Sequence, residues 1–305
     1  MDRTYAEPGS VADAVALAAQ HGSSARFLAG GTDMVVLARK RREPLPLALI
    51  AIHRLAELQG VQERADGSLH VGAATTHAEL ETHPAVLHRF TALADGAALV
   101  GSPATRHVAT LGGNLCNGSP AMDTGSPLLV FGASVTVRSN TGSRDIPVKA
   151  FFEGPGRTAA RPGELVTSVT LPALPPGAVG SAYYRLDYRL AMEIAVVGAA
   201  AVVVLADDGR VAHAQAALTA VAPTCVIAPE VAAQLQGAVP DDEVLRRAAQ
   251  AAASLARPID DVRAPAEYRQ AMVPIAVHRA LTVAVRRARG EPVAVPATLT
   301  WAGKP

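Results

Sequence analysis

Apolar and polar positions in the first two thirds of the chain change repeatedly between helical and strand-like spacing. Ser10 with Asp13 three residues later predicts a helix start, and Val11, Val15 and Ala18 place an apolar stripe on that helix. The same reasoning predicts further helices over 32–37, 76–81 and 85–99, and strands over 26–29, 47–52, 68–74, 134–138 and 165–171. This alternation of short elements predicts an α+β fold.

A cluster of prolines and a glycine at 172–177 interrupts this pattern and predicts a linker or a long turn. Beyond it, two apolar runs at 194–205 and 211–221 flank an Asp-Asp-Gly-Arg sequence, which is a strong signal for a β-hairpin. Three helical stretches follow, over 229–235, 241–255 and 264–289. We therefore predict a second domain over 178–290, an antiparallel sheet covered by helices.

Composition and charge exclude several classes of protein for this chain. It has 305 residues, half of them hydrophobic, and a formal net charge of +1, which argues against nucleic acid or an anionic membrane as a partner. The cation run at 39–42 is better explained as a complement to a helix dipole, with Pro44 ending that helix. Two cysteines cannot supply a disulfide framework, and no apolar run is long enough to span a bilayer. We expect a soluble, cytoplasmic protein.

Two glycine-centred stretches carry the strongest functional signal. The first glycine segment, residues 27–34, reads FLAGGTDM, and the second glycine segment, residues 109–123, reads ATLGGNLCNGSPAMD. Adjacent glycines let backbone N–H groups approach a ligand closely and form a nest that binds phosphate. Two such segments could hold both halves of a pyrophosphate, which predicts a dinucleotide cofactor. The second segment also offers hydrogen-bonding side chains at Thr110, Asn114, Asn117, Ser119 and Asp123.

Other chemistries find little support in the sequence. Gly154-Pro155-Gly156 lacks the strand and helix that flank a dinucleotide fingerprint, and no G-x-S-x-G elbow is present. His77, Glu79 and His83 do not have the spacing of a helical zinc site, so we interpret them as a solvated helix face. Cys116 has no evident base near it. We predict neither a catalytic acid–base residue nor a metal site.

The two glycine segments together resemble the FAD-binding subunit of the molybdenum hydroxylases, the xanthine dehydrogenase and carbon monoxide dehydrogenase medium-subunit family. The similarity extends over nearly the whole chain and includes FFEGPGRT at 151–158, ELVTSVTLP at 164–172, RLAMEIA at 189–195 and IDDVRA at 259–264. It implies a PCMH-type (vanillyl-alcohol-oxidase-like) FAD-binding domain over 1–175, with α+β lobes at about 1–54 and 55–175. A domain like the C-terminal domain of the carbon monoxide dehydrogenase flavoprotein would follow over 178–290, and 291–305 would be a tail.

The resemblance also implies the residues that bind FAD non-covalently. They would be Phe27, Leu28, Ala29, Gly30, Gly31, Thr32, Asp33, Met34, Val100, Ala109, Thr110, Gly113, Asn114, Cys116, Asp123, Val166 and Arg185. Backbone N–H groups of the first segment would hold the pyrophosphate, and Asp123 would face the ribose or ribityl hydroxyls. Val166 and Arg185 would approach the flavin ring, although many relatives carry lysine at the position of Arg185.

The implied function is electron transfer within a larger complex. Partner subunits, an iron–sulfur small subunit and a molybdopterin large subunit, would carry [2Fe–2S] clusters and molybdopterin, because this sequence shows no ligands for either. Such complexes are heterotrimers that dimerise, and their FAD passes electrons to NAD⁺, a quinone or another acceptor. Two alternatives remain: a self-contained flavin-dependent oxidase or dehydrogenase of the same superfamily, and an assembly or binding module without FAD. The organic substrate and the acceptor stay open.

Overall fold

A small parallel sheet forms the N-terminal lobe of the computed structural model, which describes residues 3–41, 45–189 and 191–301. The elements of this lobe are β1 (Thr4–Ala6), α1 (Val11–His21), β2 (Ala25–Leu28), α2 (Thr32–Arg41) and β3 (Ala48–Ala51). The strand order is β1-β3-β2, with both pairs parallel. Ser10 caps α1 as predicted, accepting a hydrogen bond from the N–H of Asp13 at 3.0 Å. Arg42 and Pro44, at the predicted end of α2, lie outside the described residues.

Five antiparallel strands form the sheet of the second lobe. The strands of this lobe are β4 (Val61–Glu63), β5 (Leu69–Gly72), β6 (Ser134–Ser139), β7 (Gly142–Pro147), β8 (Phe152–Gly154), β9 (Arg157–Thr158) and β10 (Leu165–Leu171). The sheet order is β4-β5-β10-β6-β7, and β8 pairs separately with β9. The position of β10 in the middle of this sheet buries its apolar side chains in the core of the lobe.

Short helices cover this sheet. They are α3 (His77–Leu80), α4 (Pro84–Arg89), α5 (Thr91–Leu99), α6 (Pro103–Arg106), α7 (Leu111–Asn117), α8 (Gly125–Val130) and α9 (Val148–Phe151). The single helix predicted over 85–99 is two helices, because Phe90 leaves the helical conformation at φ −117° and ψ 37°. Phe90 turns inward there and packs edge-on against Phe131.

A third sheet and three helices make up the C-terminal part. The elements are β11 (Ala178–Leu186), β12 (Val197–Leu205), β13 (Val211–Thr219), β14 (Val226–Ile227), α10 (Pro229–Leu235), α11 (Asp242–Ala251) and α12 (Ala266–Ala288). The predicted hairpin is confirmed as β12 and β13, which pair antiparallel in the order β11-β12-β13-β14. Strand β12 is buried along its whole length, because α12 covers one face of this sheet and α5 and α8 cover the other. This antiparallel sheet with helices, together with the two lobes, confirms the α+β fold.

A fully buried carboxylate joins the second lobe to the C-terminal part. Asp95 of α5 accepts hydrogen bonds from Arg287 of α12 at 2.6 and 3.0 Å. It also accepts one each from the backbone N–H groups of Tyr183 and Ala297, both at 2.9 Å. The four bonds compensate for removing the carboxylate from water. They hold β11 and α12 against α5, which precedes the second glycine segment.

Candidate cofactor site

The first glycine segment is the turn that connects β2 to α2. Gly31 adopts a left-handed φ of +72°, which a glycine tolerates without strain. The first helical hydrogen bond of α2 runs from the N–H of Val35 to the carbonyl of Gly31, at 3.0 Å. Among the described residues, no acceptor bonds the N–H groups of residues 30–34. A helix start with unbonded N–H groups and a positive dipole end is suited to an anion such as a pyrophosphate.

The two glycine segments touch each other through their backbones. A Cβ atom built on Gly30 would lie 1.8 Å from the carbonyl oxygen of Val108 and 3.1 Å from the nitrogen of Ala109. Only a residue without a side chain permits this approach. Val108 remains 49% exposed, so the contact lies at the surface, where a ligand can reach it.

The second glycine segment differs from the predicted N–H nest, because most of it is the helix α7. Thr110 caps this helix, and its hydroxyl accepts a hydrogen bond from the N–H of Gly113 at 3.1 Å. The N–H groups of Leu111 and Gly112 donate to the carbonyls of Thr75 and Ala73, at 3.0 and 2.8 Å. The backbone donors at the start of α7 are thus occupied within the protein, unlike those of α2.

Side chains of the second segment remain available to a ligand. Thr124 donates to the amide oxygen of Asn114 at 2.6 Å, and no acceptor among the described residues bonds the amide nitrogen. Gly113 and Asn114 are half-buried, and Cys116 is exposed. We conclude that this segment presents side chains rather than a backbone nest.

Asp123 and Arg185 form a buried ion pair at the end of this segment. Arg185 has no exposed surface, and its guanidinium lies 3.0 Å from the Asp123 carboxylate and 2.8 Å from that of Asp187. The same guanidinium donates to the carbonyl of Leu99 at 2.9 Å, and Tyr183 donates to Asp123 at 2.9 Å. Burial raises the pKa of the Asp123 carboxyl, and the Arg185 charge opposes that shift. Both side chains are therefore held inside the protein by partners of their own.

The remaining residues implied by the resemblance occupy three kinds of position: half-buried, exposed and almost fully buried. Val100 follows the last turn of α5 and is half-buried, as are 27–32 and Met34 at the first segment. Asp33 is exposed at the start of α2. Ala109 and Val166 are almost fully buried, the latter within the core of the second lobe. The structure thus brings the two segments together and places Val166 among core residues.

His77 corrects the prediction of a solvated helix face. It is fully buried in α3, and neither ring nitrogen has a hydrogen-bond partner among the described residues. Burial, with a smaller effect from Arg106, lowers the pKa of His77 to about 4. The backbone N–H of His77 donates to the carbonyl of Ala109 at 3.1 Å. The residue therefore lies directly behind the second segment, and an i,i+3 apolar neighbour such as Leu80 is the only sequence signal that could have indicated its burial.

Two other kinds of site are absent from the described residues. No group of three or more histidine, cysteine, aspartate or glutamate side chains there could hold a metal ion. In the same part of the chain, none of the helices combines the length and apolar character needed to cross a bilayer.

Comparison with protein families identifies the two parts of the chain. Residues 1–174 match the family described as the FAD binding domain in molybdopterin dehydrogenase. This chain belongs to that family. Residues 182–284 match the CO dehydrogenase flavoprotein C-terminal domain. Both glycine segments lie within the FAD-binding match, and the free N–H groups of the first are donors that fit an FAD pyrophosphate.

Relatives of known name cover nearly the whole chain. The chain is 31% identical to the xanthine dehydrogenase FAD-binding subunit of Escherichia coli O157:H7, over 94% of this chain and 98% of that subunit. It is 34% identical to the carbon monoxide dehydrogenase medium chain of Hydrogenophaga pseudoflava, over 93% and 97% of the two chains. These relatives are subunits of dehydrogenases, so the chain is an oxidoreductase subunit of this family.

Solved structures agree with this assignment. A carbon monoxide dehydrogenase structure from Hydrogenophaga pseudoflava, which lacks the Mo-pyranopterin moiety, superposes with a TM-score of 0.87 at 34% identity, covering 94% of this chain and 98% of that one. Quinoline 2-oxidoreductase from Pseudomonas putida 86 gives a TM-score of 0.86 at 26% identity, with the same coverage of both chains. The family resemblance and its fold are thereby confirmed.

Proposed function

We propose that this chain is the FAD-carrying electron-transfer subunit of a multi-subunit molybdenum hydroxylase or dehydrogenase. When bound, FAD would accept electrons from [2Fe–2S] clusters of a partner subunit and reduce an external acceptor such as NAD⁺ or a quinone. The organic substrate would react at molybdopterin in a large subunit. Membership of the family, with relatives named as FAD-binding subunits and medium chains, supports this proposal.

The free donors at the start of α2 are the observation that carries the proposal. The N–H groups of residues 30–34 have no acceptor among the described residues, and the backbone of Gly30 packs directly against that of Val108. Backbone N–H groups at a helix start bind phosphate without a lysine or arginine. We assign them to the FAD pyrophosphate, bound non-covalently.

Each of the other site residues would have a positioning role. Thr110 shapes α7 by capping it, and Asn114 presents its amide nitrogen beside the site. Asp123 and Arg185 fix the end of the second segment against β11 and the last turn of α5. In this assignment the chain itself moves no proton and supplies no metal ligand, and its residues bind and orient the cofactor.

The proposal extends to the assembly. Relatives named as medium chains indicate complexes with further subunits, and we propose a heterotrimer that dimerises, with an iron–sulfur small subunit and a molybdopterin large subunit. We also propose a cytoplasmic location, because the two cysteines, one exposed and one buried, are both free thiols.

Purification of the chain together with its co-expressed neighbouring subunits tests the proposal. We expect a complex whose absorption spectrum and metal analysis show releasable FAD, iron–sulfur clusters and molybdenum in fixed ratio. Reduction of the flavin by organic substrate should require the partner subunits. A chain that purifies alone and oxidises an organic substrate would instead be an independent oxidase. A chain that binds no flavin, whether purified with the other subunits or alone, would be an assembly module.

A further inference from the structure

A cavity lies in the C-terminal part, on the side of the third sheet that faces away from the glycine segments. Its volume is about 420 Å³, and it lies between α11, α12 and the short helical turn at Ala297–Trp301. Its walls include Arg246, Gln250, Ile275, His278, Arg279 and Trp301. Pockets of this size accommodate small organic ligands. Because β11–β13 separate it from α5 and α8, a ligand there would not touch the proposed cofactor site.

Arg279 is the charge that this cavity offers to a ligand. Its guanidinium carbon lies 5.2 Å from the centre of the Tyr184 ring and 5.1 Å from that of the Trp301 ring, and it donates a hydrogen bond to the Tyr184 hydroxyl. Two aromatic rings therefore fix its orientation before any ligand binds. Within the described parts of the chain, no carboxylate lies within 4.0 Å of it. Among the described residues, this cation is therefore oriented by aromatic rings and has no carboxylate partner.

The second arginine of the cavity already has a carboxylate partner. Asp242 lies 2.7 Å from the Arg246 guanidinium, and the His278 ring lies 2.9 Å from the same carboxylate. The remaining wall is apolar on one side, where Ile275 is 42% exposed beside Trp301. Gln250 adds a neutral donor and acceptor. A single free guanidinium beside a flat apolar wall is suited to an anion that carries a planar or aliphatic body.

We propose that this cavity binds a small organic anion, whose carboxylate or phosphate pairs with Arg279 and whose body lies along Trp301 and Ile275. The site goes beyond the proposed electron-transfer function and does not depend on it. Its ligand would be held by one charge-assisted contact and by apolar area.

The tryptophan of the site provides the test, because the chain contains only one. The FAD-loaded full chain is titrated with AMP, as a phosphate probe, and with benzoate, as a carboxylate probe, while Trp301 fluorescence and the flavin spectrum are recorded. We expect a saturable change in Trp301 fluorescence with at least one probe and no change in the flavin spectrum. Binding of AMP or of benzoate decides which anionic group the site takes.

Two variants and one control make the result decisive. Arg279→Met removes the charge and should weaken binding about tenfold or more, since the ligand loses its one charge-assisted hydrogen bond. Ile275→Glu puts a negative charge at an exposed wall position, which folding tolerates, and should weaken binding similarly. Arg210→Met, on the exposed hairpin turn, should leave binding unchanged. No saturable signal with either probe, or equal affinity in all three variants, would overturn the proposal. If the protein fails to bind FAD but still binds a probe, that result would count against the proposed electron-transfer function and not against this cavity.

Discussion

The first glycine segment leaves the N–H groups of residues 30–34 without acceptors in the described structure, whereas the second uses those of 111–114 to build and anchor α7. Both begin with a short apolar stretch and two adjacent glycines. The difference lies in what surrounds them: Thr110 caps α7, and the backbone carbonyls of Ala73 and Thr75 accept the next donors.

This contrast teaches that two adjacent glycines can serve opposite purposes. Gly30 is needed because another backbone passes where its side chain would be, and the donors next to it stay free for a ligand. Gly112 is also crowded, with Ala73 atoms 2.7 Å from a built Cβ, but there the crowding belongs to core packing. The first segment is thus suited to binding, and the second to support.

The largest expected effect comes from breaking the support of the second segment. Asp123→Asn would leave the fully buried Arg185 with Asp187 as its one carboxylate partner among the described residues. Removing one member of a buried pair costs about 3 kcal/mol, so the free energy of unfolding should fall by that amount in urea denaturation. Asp208→Asn, in the exposed pair with Arg210, is the control and should change it by less than about 0.5 kcal/mol. Equal stability of the two variants would contradict a supporting role.

Gly30→Ala should separate the two segments and so damage binding. The new Cβ would lie 1.8 Å from the Val108 carbonyl oxygen, so one of the two backbones has to shift. A shift of the first segment displaces its free donors. We expect FAD affinity to fall about a hundredfold, measured by titrating the apoprotein with FAD and following flavin fluorescence. Gly9→Ala is the matched control, since nothing lies within 4 Å of its added Cβ. If Gly30→Ala bound FAD with the same affinity as Gly9→Ala, the proposed FAD site at the N–H groups of residues 30–34 would be refuted.

Low pH should reduce the stability of the protein around the second segment, because the unfolded state protonates His77 more readily than the folded state does. Its pKa of about 4 in the folded protein lies below the unfolded value of about 6.5, so the unfolded state binds the proton more readily between these values. Stability contributed by neutral His77 is complete above about pH 6.5 and is lost as the pH falls towards 4, by about 2 kcal/mol at pH 5.

The variant His77→Leu isolates this effect from that of the other histidines. Comparing urea denaturation at pH 7.5 and pH 5, the wild type should lose about 2 kcal/mol more than the variant. An equal loss in both proteins would show that His77 does not titrate as its burial requires.

Smaller effects should distinguish the two adjacent glycines of the second segment. Gly112→Ala meets Ala73 at 2.7 Å and should lower the free energy of unfolding by between about 1 and 2 kcal/mol. Gly113→Ala meets only the Thr110 hydroxyl, at 3.0 Å, and alanine favours a helix, so its change should stay below about 1 kcal/mol. Denaturation of the two apoproteins side by side checks the order. The reverse order would mean that the packing of Gly112 against Ala73 is not the tighter contact.

Elements with a clear local signal could be predicted from the sequence. The Ser10 cap of α1, the hairpin of β12 and β13 and the helix α12 follow from capping, turn and periodicity rules, and the structure has them within a few residues. The sequence did not reveal β11, because Ser181 and Arg185 interrupt its apolar run. Both side chains are fully buried and bond to residues of the second lobe. Ser181 accepts a hydrogen bond from the N–H of Ala92, and Arg185 donates one to the carboxylate of Asp123. Such pairings depend on tertiary structure, which no local pattern encodes.

For the candidate cofactor site, too, local sequence signals could be recognised but tertiary contacts could not. Adjacent glycines pointed to both segments as candidates, whereas the contact between the two segments could be seen only in the fold. The sequence could have indicated that Thr110 accepts the N–H of Gly113 only if α7, which it did not predict, had been recognised as a helix. The His77 ring has no hydrogen-bond partner among the described residues, so no pairing motif could have indicated its position.

Amide hydrogen exchange with and without FAD tests the central contrast most directly. Peptides covering 28–36 should exchange rapidly in the apoprotein and become protected when FAD is added, because their free N–H groups would then donate to the pyrophosphate. Peptides covering 109–117 should be protected in both states, since their donors are bonded within the protein. Unchanged exchange over 28–36, or FAD-dependent protection confined to 109–117, would contradict the assignment of binding to the first segment and support to the second.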